Sequence, residues 1–238
     1  MEDYIVVDLE MTGLQAKTDK ILEIGAVKVK NGQITDTFQS MVNPKCEITQ
    51  LITNLTGITN DMIKEEREIR EVFSDFLAFE EGLPLVGHNI IYDYSFLKQE
   101  AVNEKIAYEK KAVDTLKLAR KFLREPEKKT LEALCDFYNI KRENCHRALD
   151  DAKATYQLYE ILKDAFEKDY QKEFCPKNLI YRAKRQTPAT PSQKRYLKEF
   201  TNYHRISLNV SIEAMTRSEA SRLTDQLITQ YGRMDLQK

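Results

Sequence analysis

The chain has 238 residues and is almost neutral, with 37 Lys or Arg against 38 Asp or Glu; that length admits one domain of about 170 residues with a sizeable core, plus a small appendage. Its four cysteines, Cys46, Cys135, Cys145 and Cys175, show no paired CxxC spacing, which argues against a structural zinc or a disulfide framework and suits a reducing compartment. The start MEDYIVV has no basic-then-apolar leader, and no stretch reaches the ~18 apolar residues of a membrane span. The expectation is a cytoplasmic protein without a membrane segment.

Strands are expected over residues 4–9 and 22–30, where Ile5, Val6 and Val7, then Ile24, Ala26, Val27 and Val29, form apolar runs. Asn31 and Gly32 mark a hairpin into a third, antiparallel strand from Gln33 to Val42. The period then changes. Ile69 to Phe79 has helical spacing, Leu83 to Val86 reads as a short buried strand, and a helix follows from about Tyr92 to Asn103. A strand at Ala112 and Val113 precedes helices near Thr115 to Leu123 and Leu131 to Tyr138, and a long helix runs from about Arg147 to Lys168. Three meander strands followed by strand–helix units predict an α/β fold, a mixed sheet flanked by helices. Residues 171–190, rich in Lys, Arg and Pro, read as a basic linker between a body of residues 1–170 and a small helical module of residues 191–238. In that module Pro191 opens one helix, and Thr216 with Glu219 makes a capping box for another from Arg217 to about Tyr231.

Three segments carry chemistry. Asp8 and Glu10 lie two apart on an apolar strand, so both side chains share a face while Val7 and Leu9 point away. Paired carboxylates repel unless a cation lies between them, and hard divalent ions accept such oxygens; solvent-facing acids at a strand end are the other reading. Thr12 and Gly13 end the strand abruptly, which is expected to free backbone N–H groups for a phosphate or sugar. Asp93 follows His88 and Asn89 at a strand end; it is either a site residue or a cap of the next helix. His88 is either a phosphate donor or a loop histidine. On the long helix, Ala148, Ala152, Thr155, Tyr159 and Leu162 form an inward stripe that includes Asp151, whereas Asp150 heads an outer row with Lys153 and Gln157. An inward carboxylate needs a cation or donor to offset its burial, so Asp151 is the expected ligand and Asp150 surface. His146, just before this helix, suits general-base work near neutral pH.

These segments resemble the DEDDh branch of the DnaQ-like 3'-5' exonucleases: Asp8 and Glu10 match its Asp-x-Glu motif, His88, Asn89 and Asp93 its His-Asn-x-x-x-Asp motif, and His146 and Asp151 its His-x-x-x-x-Asp motif. The resemblance covers residues 1 to about 168, and the segment Leu55 to Thr59 is similar to the proofreading exonuclease domain of PolC-type DNA polymerases. It implies a ribonuclease H-like fold, taken here as a five-stranded mixed sheet. It also implies two Mg²⁺ or Mn²⁺ ions held by Asp8, Glu10, Asp93 and Asp151, with His146 as general base, and release of 5'-mononucleotides from 3' ends. Carried over from the family, the backbone near Met11 and Thr12 would hold the terminal nucleotide, Ile58 and Phe96 would pack on its base and sugar, and His88 would lie on the substrate side. Met11 stands where proofreading members usually have Thr, and the Asp8-to-Leu14 and His146-to-Asp151 segments are also similar to oligoribonuclease. DNA, in particular single-stranded 3' ends, is the favoured substrate, RNA the alternative, and a non-catalytic nucleic-acid or polymerase-binding module the remaining reading.

The near-neutral total conceals an asymmetry. Residues 171–238 hold 13 Lys or Arg against 6 Asp or Glu, and residues 1–170 hold 24 against 32. A basic tail on an acidic body is expected to meet an anion, nucleic acid first, although an ordinary solvated surface has the same composition. Gln193, Tyr196 and Phe200 could dock on a sliding clamp or a polymerase; alternatively Tyr196, Leu197 and Phe200 pack against Leu223, Leu227 and Ile228.

Overall fold

The computed structural model describes residues 1–142, 146–208 and 210–234. They divide into two units, Met1–Ala183 and Lys184–Lys238. The first is built on a six-stranded sheet of order β3-β2-β1-β4-β5-β6. Strands β1 (Tyr4–Met11), β2 (Ile21–Lys30) and β3 (Gln33–Met41) form an antiparallel meander. Asn31 and Gly32, both with positive φ (51° and 72°), make the tight β2–β3 turn, the backbone hand that a two-residue hairpin requires. After α1 (Gln50–Thr56), α2 (Asn60–Ile63) and α3 (Ile69–Glu80), β4 (Leu85–Gly87) pairs parallel to β1, and β5 (Lys111–Asp114) pairs parallel to β4 across α4 (Ile91–Asn103). Helices α5 (Thr115–Phe122), α6 (Leu131–Tyr138) and α7 (Ala148–Phe166) follow.

Strand parity sorts the core. Ile5, Val7, Leu9, Ile24 and Ala26 are buried on one face with Phe73, Phe76, Tyr94 and Leu97 of α3 and α4. Tyr4, Val6, Val27 and Val29 are buried on the other with Leu118, Leu134, Leu158, Tyr159 and Leu162 of α5, α6 and α7. Asp8 and Glu10 share the parity of Tyr4 and Val6, and so belong to the α7 face.

Two expectations need correction. Residues 171–183 are not linker: α8 (Gln171–Phe174) buries Phe174 beside Tyr159, and β6 (Lys177–Asn178) adds an antiparallel edge strand to β5. The sheet therefore has six strands instead of five. A two-residue strand has no period to read, and Phe174 is drawn in by rings distant in sequence, such as Phe122 with its centroid 6.1 Å away.

The second unit contains α9 (Pro191–His204) and α10 (Arg217–Tyr231). Thr190 with Gln193, and Thr216 with Glu219, both form capping boxes. Ala189 N donates to Met215 O and Arg217 N to Thr187 O, so the two N-termini adjoin; the His204 and Tyr231 rings, 5.8 Å apart, bring the C-termini together. The helices thus run in the same direction around Leu197, Phe200, Met215, Ala220 and Leu227. This removes the clamp-docking segment as an exposed motif: Phe200 is fully buried, and the Gln193 side chain is spent on the cap and on Arg217 O and Ser221 Oγ.

Candidate active site

Four acids and one histidine converge where the C-terminal ends of β1 and β4 meet the start of α7. Asp8 and Glu10 lie opposite Gly25 and Glu23 of β2. Asp93 stands in the first turn of α4, where Ile90 is the N-cap and no side chain caps the helix. Its Oδ1 instead accepts from Leu9 N at 3.0 Å, tying the acid to β1 between the other two. Asp93 therefore lies beside Asp8 and Glu10 and does not cap α4. Across the site, Glu10, His146 and Asp151 each offer a ligand atom, all within 4.8 Å of one another. Asp151 is buried (7% exposed) on the inner stripe of α7, whereas Asp150 is partly exposed and faces Lys153.

Close approach between α7 and the sheet makes this convergence possible. A Cβ at Gly25 would lie 2.1 Å from the carbonyl carbon of Ala148 and the nitrogen of Leu149, so only glycine lets the first turn of α7 rest directly on β2, beside Asp8. His146, with φ 62°, turns the chain into that helix through the left-handed region.

Electrostatics point to a cation-binding site. Burial, then Asp93, Glu10 and Asp151, push the Asp8 carboxyl well above its ordinary range. Burial followed by Asp151, Glu23 and Asp93 pushes Glu10 up to about 8, and burial, with Asp114 adding, pushes Asp93 up to about 7. Asp151 is raised by burial and held back by Arg142, whose Nη1 donates to Oδ1 at 3.2 Å. Carboxylates this close cannot all be ionised without positive charge among them. The donor set of acid oxygens with one imidazole nearby fits hard divalent ions such as Mg²⁺ or Mn²⁺.

Beside the acids opens a cleft of about 900 Å³ whose lining includes Asp8, Met11, Leu14, Tyr92 and Asp93 together with Arg120, Leu123, Lys128 and Leu131. The exonuclease family model RNase_T matches residues 5–159. This chain belongs to that exonuclease family. A DNA polymerase III PolC-type from Caldanaerobacter subterraneus is 42% identical over 157 residues, which is 66% of this chain and 11% of the polymerase. The chain thus spans about a ninth of the length of the curated relatives it matches. Among solved structures, E. coli Exonuclease I in complex with a dT13 oligonucleotide aligns with a TM-score of 0.64 at 15% identity, covering 73% of this chain and 44% of that one. The nuclease domain of 3'hExo, a DEDDh family member bound to rAMP, aligns at 0.59 with 23% identity over 70% and 94% of the two chains. These likenesses establish the mixed-sheet exonuclease fold.

Several residues expected at the substrate side of this exonuclease domain lie elsewhere. Ile58 is fully buried with Leu22, Ile48 and Ile63 in a cluster under α1 and α2, and Phe96 is buried in the core between α4 and the sheet. Neither lines the cleft, because both answer to apolar packing from below. Thr12 offers no free backbone donor: its N–H donates to Lys20 O and its hydroxyl accepts from Lys20 N. Met11 does line the cleft. His88 borders it too, but both ring nitrogens are engaged. Nε2 reaches Lys129 O at 2.8 Å, which can only accept, and Nδ1 lies 2.9 Å from the Thr115 hydroxyl. Burial lowers the pKa of this ring, so it holds the 123–131 wall against β4 as a neutral bridge instead of donating to phosphate. Sequence reasoning passed over Leu14 and Tyr92, which are 65% and 39% exposed on the cleft rim. Their signal was an apolar side chain just after a Thr-Gly stop and an aromatic next to an acid. It also missed Glu23, a buried acid in an apolar strand.

Proposed function

We propose that this chain is a divalent-metal-dependent 3'-5' exonuclease that removes 5'-mononucleotides from single-stranded or mismatched DNA. The convergence of Glu10, His146 and Asp151 beside Asp8 and Asp93 carries the reading. Asp8, Glu10, Asp93 and Asp151 would hold the ions, two by family likeness. When bound, such ions supply the positive charge that polarises a phosphodiester and its attacking water. His146, exposed at the mouth of the site and within reach of Glu10 and Asp151, takes the water's proton. Leu14 and Tyr92 offer exposed apolar surfaces for the terminal base, with Met11 also lining the cleft, and Arg120 and Lys128 of the same lining supply positive charge for the phosphates. DNA is favoured over RNA because a PolC-type DNA polymerase matches this chain at 42% identity over 157 residues.

The test is digestion of 3'-labelled single-stranded DNA, mismatched duplex and RNA with Mg²⁺ or Mn²⁺. The expected result is stepwise release of 5'-mononucleotides, faster from DNA, and loss of about 10²–10⁴-fold in rate for His146→Ala with the fold intact. RNA shortened faster than DNA would favour the oligoribonuclease-like alternative, and a His146→Ala variant as active as the parent would sink the mechanism.

For the second unit we propose a tether for nucleic acid. Residues 184–238 hold 10 Lys or Arg against 5 Asp or Glu, and Glu213 is shared by Lys194 and Lys198. Removing residues 184–238 should lower DNA affinity and flatten its salt dependence; an unchanged salt slope would remove the tether. A partnership with a replicative polymerase rests on the PolC likeness alone. Among the described residues no helix is long and apolar enough to cross a membrane.

A further inference from the structure

Glu23 is fully buried in β2, yet it lies outside the five residues that carry the chemistry. Its carboxylate is saturated with donors: Arg147 Nη2 at 2.8 Å and Gln39 Nε2 at 2.8 Å on Oε1, Arg147 Nε at 3.1 Å and Ala148 N at 3.2 Å on Oε2. The Arg147 fork and the first amide of α7 thus close on one acid of the sheet, a bidentate pair with fixed direction. These donors, Arg147 and Gln39 foremost, hold the Glu23 carboxyl below its ordinary range despite burial. Glu23 is also the cross-strand partner of Glu10, and Arg147 stands between His146 and the helix that carries Asp151. Gly25, two residues along the same strand and on the same face, lets that first turn touch β2.

We infer that Glu23 and Arg147 form a positioning clamp: they lock the start of α7 to the sheet in the register that sets His146 and Asp151 against Glu10. Without the clamp, the first turn of α7 keeps its van der Waals seat on Gly25 but loses the directional tie that fixes its rotation and height. His146, on a left-handed backbone directly before Arg147, moves with that turn. A displacement of about 1 Å at a reacting group costs on the order of 10²-fold in rate. By this reading the clamp positions other groups without itself contacting substrate, so it acts on turnover and on an ion that Asp151 would hold, and leaves nucleotide binding alone.

The inference rests on the nuclease reading, and the experiment separates the two. The full chain is compared with Glu23→Gln, Arg147→Met and the double variant, each checked for cooperative unfolding well above the assay temperature. His146→Ala serves as the reference. Three quantities are read: kcat and KM on single-stranded DNA, and Mn²⁺ affinity by calorimetry without substrate. The expected result is a fall of about 10- to 100-fold in kcat for each single variant, with KM within about twofold and weaker Mn²⁺ binding. The double variant should be no worse than Arg147→Met, since the two residues act as one device. A rise in KM at constant kcat for Arg147→Met would make Arg147 a substrate contact and overturn the clamp, as would parent kcat in folded Glu23→Gln. If the parent releases no nucleotides the nuclease reading fails; if the parent is active and His146→Ala equals it, the general-base role fails; if His146→Ala is inactive while both clamp variants are fully active, only the clamp fails. Should Glu23→Gln not fold, Arg147→Lys, which keeps the charge and loses the fork, supplies the same readout.

Discussion

Asp8 and Glu10 enter the active site by strand parity, whereas His146 and Asp151 enter it only because α7 is seated on β2. On the sheet side, the acids lie within a strand whose neighbours are buried on both faces, and their cost is electrostatic: burial and mutual repulsion raise their pKa values. On the helix side the acid has Arg142 as partner, and the cost is steric, a close backbone contact that a single methyl group would break. One half of the site is therefore strained by charge and needs a cation. The other is strained by proximity and needs glycine.

Gly25→Ala breaks the comparison most directly. The added methyl group would overlap the Ala148 and Leu149 backbone, so α7 must lift. Stability should fall by about 1–3 kcal/mol, and exonuclease rate by more than the folded fraction explains, as read by thermal unfolding alongside turnover. Parent activity in this variant would show that the helix side tolerates displacement.

Glu10→Gln addresses the opposite half, with an opposite sign. It should abolish most activity yet stabilise the metal-free protein near neutral pH by about 1 kcal/mol, because the fold no longer has to hold a carboxyl protonated above its ordinary range. The parent has a matching pH dependence. The Glu10 pKa is raised from 4.5 to about 8 in the folded state, so between those values the native state binds more protons than the unfolded one. Stability is then greatest at the acid end of that window and declines as pH rises through it, by at most about 1.4 kcal/mol per pH unit for each such group. Urea unfolding in chelator at about pH 5 and about pH 8 measures the decline, and saturating Mn²⁺ should reduce it. A metal-free stability that rises over this range would contradict the raised carboxyl values.

The smallest expected effect belongs to a residue outside both halves. Ile58→Val should cost about 0.5–1.5 kcal/mol and leave KM for single-stranded DNA unchanged. A raised KM with parent stability would return Ile58 to the substrate side.

Much of this arrangement was legible in the chain. The Asn31–Gly32 turn follows from the residues a tight hairpin needs, and the shared face of Asp8 and Glu10 and the inward face of Asp151 against the outward Asp150 follow from local periods of about 2 or 3.6 residues, which packing did not overrule. The family likeness named Asp93 and His146, whose segments alone left alternatives open. Less legible were features made by contacts distant in sequence: β6 and Phe174, the depth of Ile58 and Phe96, and the closing of His88 onto Lys129. Glu23 lies between these cases, since a charged residue in an apolar run is visible, but its partner stands 124 positions away.

By itself, the sequence determined which residues are acids, which strand and helix faces they occupy, and that a carboxylate set with one histidine belongs to an exonuclease family, because those properties are carried by spacing along the chain. Only the tertiary structure decided how near the two halves come, which apolar residues line the groove and which lie in the core, and what ties α7 to the sheet. Those depend on the missing side chain at Gly25 and on the four donors gathered at Glu23, contacts between parts of the chain that no period connects.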